Sequence, residues 1–96
     1  QIGINPKTNQ LIKSSIEEET KQVLENIIAI LDSEKMTLNN VVKSSIFIKD
    51  MSQYTEINSI YSKYFTKNFP ARETVEVSKL PKEANIEISI IAVKDQ

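Results

Sequence analysis

The stretch PARETVEV, from Pro70 to Val77, opens an apolar strand with an arginine, and NIEISIIA, from Asn85 to Ala92, sets Glu87 among isoleucines. Charged groups at such positions cost free energy unless something pairs with them. Each therefore sits on a wet face or holds a ligand. The fork of the Arg72 guanidinium can take a carboxylate at two points, and the pair strengthens where water is scarce. A carboxylate in a dry cleft can exchange protons near neutral pH. The chain has no histidine and no cysteine. The commonest general base, the commonest metal ligand and thiolate chemistry are thus missing from it. Proton transfer would fall to a group such as Glu87. Plainer roles stay open beside these: Arg72 as a rim arginine paired with Glu87 or Glu73, and Glu87 as a polar residue on a solvated strand face. Asn58 lies inside a helical pattern, where asparagine is poorly suited. Its amide can bond a substrate or simply face solvent.

Elements must position these groups. Asn5-Pro6-Lys7-Thr8-Asn9-Gln10 is turn chemistry, and Gln1–Ile4 before it reads as the end of a strand. Ser14 with Glu17, or Ser15 with Glu18, has the spacing of a helix cap. Ile16, Thr20, Val23, Leu24, Ile27, Ile28 and Leu31 then repeat at helical spacing, and that helix is expected to end near Lys35. Val41–Lys49 reads as a strand with Val42, Ile46 and Ile48 on one face and Val41 and Phe47 on the other. Asp50 or Ser52 caps a second helix with the stripe Tyr54, Ile57, Tyr61, Tyr64 and Phe65, assigned to the core. Glu73–Lys79 alternates, with Thr74 and Glu76 opposite Val75 and Val77. Asn85–Val93 alternates too, with Ile86, Ile88, Ile90 and Ala92 facing inward. The fold class expected is α+β: a mixed sheet with two helices packed on one face. Phe47, Ile91 and Val93 then lie on a face without helices, which a second subunit could cover.

Composition narrows the function. The 96 residues suit one domain spanning 1–96. An apolar fraction of 40% fits a folded chain rather than a disordered one. With 12 basic and 13 acidic residues, nothing draws the chain to nucleic acid or to an anionic membrane. No apolar run reaches the roughly 18 residues of a membrane span, and no leader segment is visible. The compartment expected is reducing, the cytoplasm or an organelle matrix. Gly3 is the single glycine, so no glycine-rich phosphate loop can be written.

Several segments, in one order, resemble the Rid family, the reactive intermediate deaminases of RidA/YjgF type, whose older label is endoribonuclease L-PSP. QIGINPKTNQLI is similar to the family's GQIPxNPKTGEL turn. NNVVKSSIFIKDMSQYTEINSIYSKYF resembles DDVVKTTVFxxDMxDFxxxNxxYxxYF. FPARETVEVSKLPKEANIEISIIAV resembles PARSxVEVxxLPKxxxxEIExIA. The resemblance implies a chorismate-mutase-like domain in a homotrimer with a central barrel, and an active site in each cleft between subunits. It implies hydrolysis of enamines and imines of the 2-aminoacrylate type to 2-keto acids and ammonia, without cofactor or metal.

By the same resemblance Arg72 holds the substrate carboxylate and Glu87 places and activates water. Asn58 lies near the site, and Thr74 takes the position of a frequent cysteine. Ser89 replaces the second glutamate of EIE. The family also carries an N-terminal segment, ahead of the position of Gln1, whose tyrosine and serine help line the cleft. The domain is therefore expected to lack the family's first strands. Two other functions stay open: a trimer that binds small carboxylates without turnover, and the ribonuclease or translation-inhibitor role behind the older label. A nearly neutral chain without a basic, aromatic stripe offers little to RNA.

Overall fold

Ser15, not Ser14, starts the first helix: its hydroxyl accepts from the Glu18 N–H at 3.1 Å. In the computed structural model, which describes residues 1–94, helix α1 runs Ile16–Ser33. Glu17, Glu18 and Glu19 occupy its first turn, where the helix dipole favours negative charge. The helix stops because Lys35 turns into the left-handed region at φ 59°, two residues earlier than the spacing alone suggests.

Two short strands precede it, β1 (Ile4–Asn5) and β2 (Gln10–Leu11), paired antiparallel. Asn5 makes the turn by accepting from the Lys7 N–H at 2.8 Å, and Asn9 closes it at φ 58°. Upstream, Gln1 and Ile2 lie along the last strand. The Gln1 nitrogen donates to the Ile88 carbonyl at 2.8 Å, and Ile2 bridges Glu87 antiparallel.

The main sheet has three strands, β3 (Val41–Ile48), β4 (Ala71–Glu76) and β5 (Ile86–Ala92), in the order β4-β3-β5. β3 runs parallel to β4 and antiparallel to β5, so the sheet is mixed, as expected. Helix α2 (Tyr54–Tyr64) makes the crossover from β3 to β4. Asp50 caps the short 3-10 turn Met51–Gln53 that leads into α2, accepting from the Ser52 N–H at 2.9 Å. α1 and α2 bury Val23, Leu24, Ile27, Leu31, Ile57 and Tyr61 against Ile46, Ile48, Ile86 and Ile88 of one sheet face.

Two expectations need correction. An irregularity between Val41 and Lys43 shifts the pairing of β3 with β5. Val41 is therefore buried and Val42 is exposed, the reverse of simple alternation, because an extra residue turns every side chain before it to the other face. β4 covers Ala71–Glu76 rather than Glu73–Lys79. It is matched to Lys43–Ile48, and where β3 ends, the pairing ends.

Gly3 is small for a reason of space. A Cβ there would stand 2.9 Å from the Glu19 carbonyl oxygen and 3.0 Å from Glu19 Cγ. Asn26 holds the same segment against α1, donating to the Ile4 carbonyl at 2.8 Å. Glu19 is 1% exposed. It accepts from the Asn85 backbone N–H at 2.8 Å and from its side chain at 2.9 Å, which ties the start of α1 to the start of β5.

Candidate functional site

Pairing places the site residues. Arg72 pairs with Ser44, and Thr74 with Ile46. Ser44 and Ile46 are buried on the helix side of the sheet, so Arg72 and Thr74 point to that side, at the edge strand β4. There the guanidinium meets one face of α2. Nη1 donates to Asn58 Oδ1 at 2.7 Å, and Nη2 donates to the Tyr54 hydroxyl at 2.8 Å. The guanidinium carbon stands 4.7 Å from the centre of the Tyr61 ring, within range of a cation–π contact. Residues 54, 58 and 61 are four and three apart, the spacing of one helix face.

Tyr61 is itself fixed. Its hydroxyl donates to Ser44 Oγ at 3.0 Å in a buried pair, and its ring stacks on Phe65 with centroids 4.5 Å apart. Arg72 thus rests on a floor anchored in the core. Sequence reasoning brought Arg72 and Asn58 to one site but left Tyr54 and Tyr61 in the core. A tyrosine stripe at helical spacing gives no sign that its hydroxyls answer an arginine on another element.

The guanidinium is not neutralised. Among the described residues no Asp or Glu oxygen lies within 4.0 Å of it. Glu73 is engaged elsewhere, accepting from Ser45 Oγ at 2.8 Å and lying 3.6 Å from Lys43 Nζ. The Ser45 hydroxyl and the Lys43 charge hold its carboxyl below the usual value of 4.5. The rim ion pair that Arg72 could have made is therefore absent among the described residues. Arginine has five N–H donors; Asn58 and Tyr54 take one each, which leaves three. A cavity of about 260 Å³ opens beside the group, lined by Asn58, Tyr61, Ser62, Phe65, Phe69, Pro70 and Arg72. That volume suits a small molecule. Thr74 is not among the lining residues.

Glu87 lies apart. On β5 it pairs with Phe47 of β3, so it points to the side of the sheet without helices. β3 separates β5 from β4. Arg72 and Glu87 of one chain are thus two strands apart and on opposite faces. Phe47, Val75 and Ile91 share the face of Glu87 by register; Val75 is 43% and Ile91 56% exposed. Among the described residues no group of three or more Asp or Glu side chains is placed to hold a metal ion. No helix there is long and apolar enough to cross a membrane.

Comparison with known proteins agrees with this architecture. The family model for Endoribonuclease L-PSP matches residues 1–94. A RutC family protein of Pyrococcus horikoshii is 47% identical over 95 residues, covering 99% of this chain and 75% of that protein. A human protein named 2-iminobutanoate/2-iminopropanoate deaminase is 39% identical over 94 residues, covering 98% of this chain and 69% of that protein. The crystal structure of Escherichia coli TdcF with bound serine superposes with a TM-score of 0.93 at 31% identity, covering 99% of this chain and 76% of that one. With the motifs in order and the mixed sheet carrying its two helices on one face, the chain belongs to the endoribonuclease L-PSP family, the Rid family.

Proposed function

We propose that the protein hydrolyses small imines and enamines that carry a carboxylate, of the 2-aminoacrylate type, to 2-keto acids and ammonia. The observation that carries this reading is Arg72. Its guanidinium is braced by Asn58 and Tyr54, faces a small cavity, and meets no carboxylate among the described residues. Such a group is preorganised for an anion. Two relatives support the choice of substrate: one is named as a deaminase of imino acids, and another binds serine.

In the reaction the enamine first gains a proton at carbon and loses one from nitrogen, and so becomes the imine. Arg72 holds its carboxylate. The oxygen of water bonds to the imine carbon, and the nitrogen takes a proton. The new hydroxyl then passes its proton to the nitrogen as the C–N bond breaks, so that ammonia leaves and the carbonyl forms. Glu87 accepts the proton of the attacking water and returns it to the nitrogen. Thr74, two residues beyond Arg72 on the same face, lies outside the lining of the cavity beside Arg72 and meets the substrate only if the bound molecule extends along β4. The opposite placement of Arg72 and Glu87 in one chain means that they serve one site only across a boundary between copies. The reading therefore includes a homotrimer, closed through the sheet face that carries Phe47, Val75 and Ile91.

The same placement favours a second reading. A chain in which Glu87 never reaches Arg72 would bind small carboxylates without turning them over. A dehydratase that generates 2-aminoacrylate separates the two. Faster absorbance decay with the protein, falling about 100-fold in kcat/KM with Arg72→Ala, is the outcome expected from loss of a charged, two-point contact. Decay at the protein-free rate, with 2-oxobutyrate still bound, would establish the binding role instead.

A further inference from the structure

Tyr54 is the first residue of α2, and its hydroxyl oxygen is used. It accepts from Arg72 Nη2 at 2.8 Å, while Asn58, one helical turn on, accepts from Nη1 at 2.7 Å. The two acceptors hold opposite arms of one planar group. Tyr61 supplies the floor beneath it, at 4.7 Å. With Asn58 and Tyr61 alone, the Nη2 arm would be answered only by water, and the plane could turn about its bond to Nε. With Tyr54 the plane is pinned at both arms before any ligand arrives.

We infer that Tyr54 is a positioning residue, whose hydroxyl orients the Arg72 guanidinium and thereby sets the affinity for the substrate carboxylate. The inference rests on the assignment of Arg72 as carboxylate anchor. The physical basis is preorganisation: a donor fork that is already fixed loses less freedom when it binds. Tyr54 touches no reacting atom in this scheme. Its loss should therefore appear in ground-state binding rather than in the chemical step.

Tyr54→Phe keeps the ring and removes only the oxygen. Titration calorimetry with 2-oxobutyrate is expected to give a Kd about three- to tenfold weaker than wild type, the scale of one hydrogen bond to a charged group acting indirectly. KM should rise by a similar factor, with kcat changed less than about twofold. The melting temperature should stay within experimental error. In ¹⁵N spectra at low temperature the Arg72 Nη1 and Nη2 signals should be separate in wild type and merge in the variant. An unchanged Kd would overturn the inference, and so would a weaker Kd accompanied by a fall of several degrees in melting temperature, which would mark a packing role. Arg72→Ala distinguishes the two levels of the argument. If it abolishes 2-oxobutyrate binding while Tyr54→Phe is silent, the role of Tyr54 alone is wrong. If it leaves binding intact, the anchor assignment is wrong and Tyr54 falls with it.

Discussion

Arg72 takes its character from what surrounds it. Two neutral acceptors and an aromatic face stabilise a guanidinium without cancelling its charge. An aspartate in place of Asn58 would cancel it. Asn58→Asp should therefore weaken 2-oxobutyrate binding more than Asn58→Ala does, by about 100-fold against about tenfold, because a fixed carboxylate competes with the ligand for the same N–H groups. Calorimetric Kd values for the two variants check this. The opposite order would mean that Asn58 acts by shape rather than by sparing the charge. Glu19 shows the contrasting use of a charge. It is buried and fully engaged by Asn85, and it serves as a brace between α1 and β5.

Caps and close approaches fix the elements that carry the site. α2 must begin at the right residue for Tyr54, Asn58 and Tyr61 to face Arg72, and Asp50 sets the turn just before it. The Ser52 hydroxyl and backbone N–H hold the Asp50 carboxyl below its usual value of 3.8. The folded state thus binds the proton less readily than the unfolded chain. The stability this confers is present above the unfolded value and is lost as pH falls through the lower, folded one. A carbon-detected NMR titration should give Asp50 a midpoint below 3.8, and Asp50→Asn should flatten the acid arm of melting temperature against pH. A midpoint at or above that value would remove the cap from the argument. The irregularity near Val42 and the close approach at Gly3 act at the same scale: each changes which way a side chain points or how near a backbone comes.

At the scale of the whole molecule, the two charged residues of the proposed site face away from each other. A cyclic trimer that joins Arg72 of one copy to Glu87 of the next makes a quantitative prediction. Arg72→Ala and Glu87→Ala proteins are each expected to be inactive. Unfolded together in equal amounts and refolded, they should regain about one quarter of wild-type activity, since each site then draws an intact Arg72 with probability one half and an intact Glu87 with probability one half. Mixing without unfolding is the control. No recovery after refolding would exclude a site shared between copies. Sedimentation should give three times the chain mass, and Ile91→Asp, which places charge on the apolar open face, should reduce it.

The sequence alone determined the order of the two helices and the three main strands, the inward side of β5, and, by resemblance, the grouping of Arg72 with Asn58. These follow from local rules: apolar spacing, a serine cap, turn residues, and motif order. It also carried the family, through several motifs spread along most of the chain. The tertiary structure decided the rest. Which tyrosines answer Arg72 depends on where α2 lies against the edge of β4, and helical spacing is silent about contacts between elements. The inversion of Val41 and Val42 depends on pairing with β5, where one extra residue reverses a face. The separation of Arg72 from Glu87 depends on strand order. Residues fifteen positions apart in the chain are divided by β3, because hydrogen bonding between strands, not distance along the chain, sets their order in the sheet.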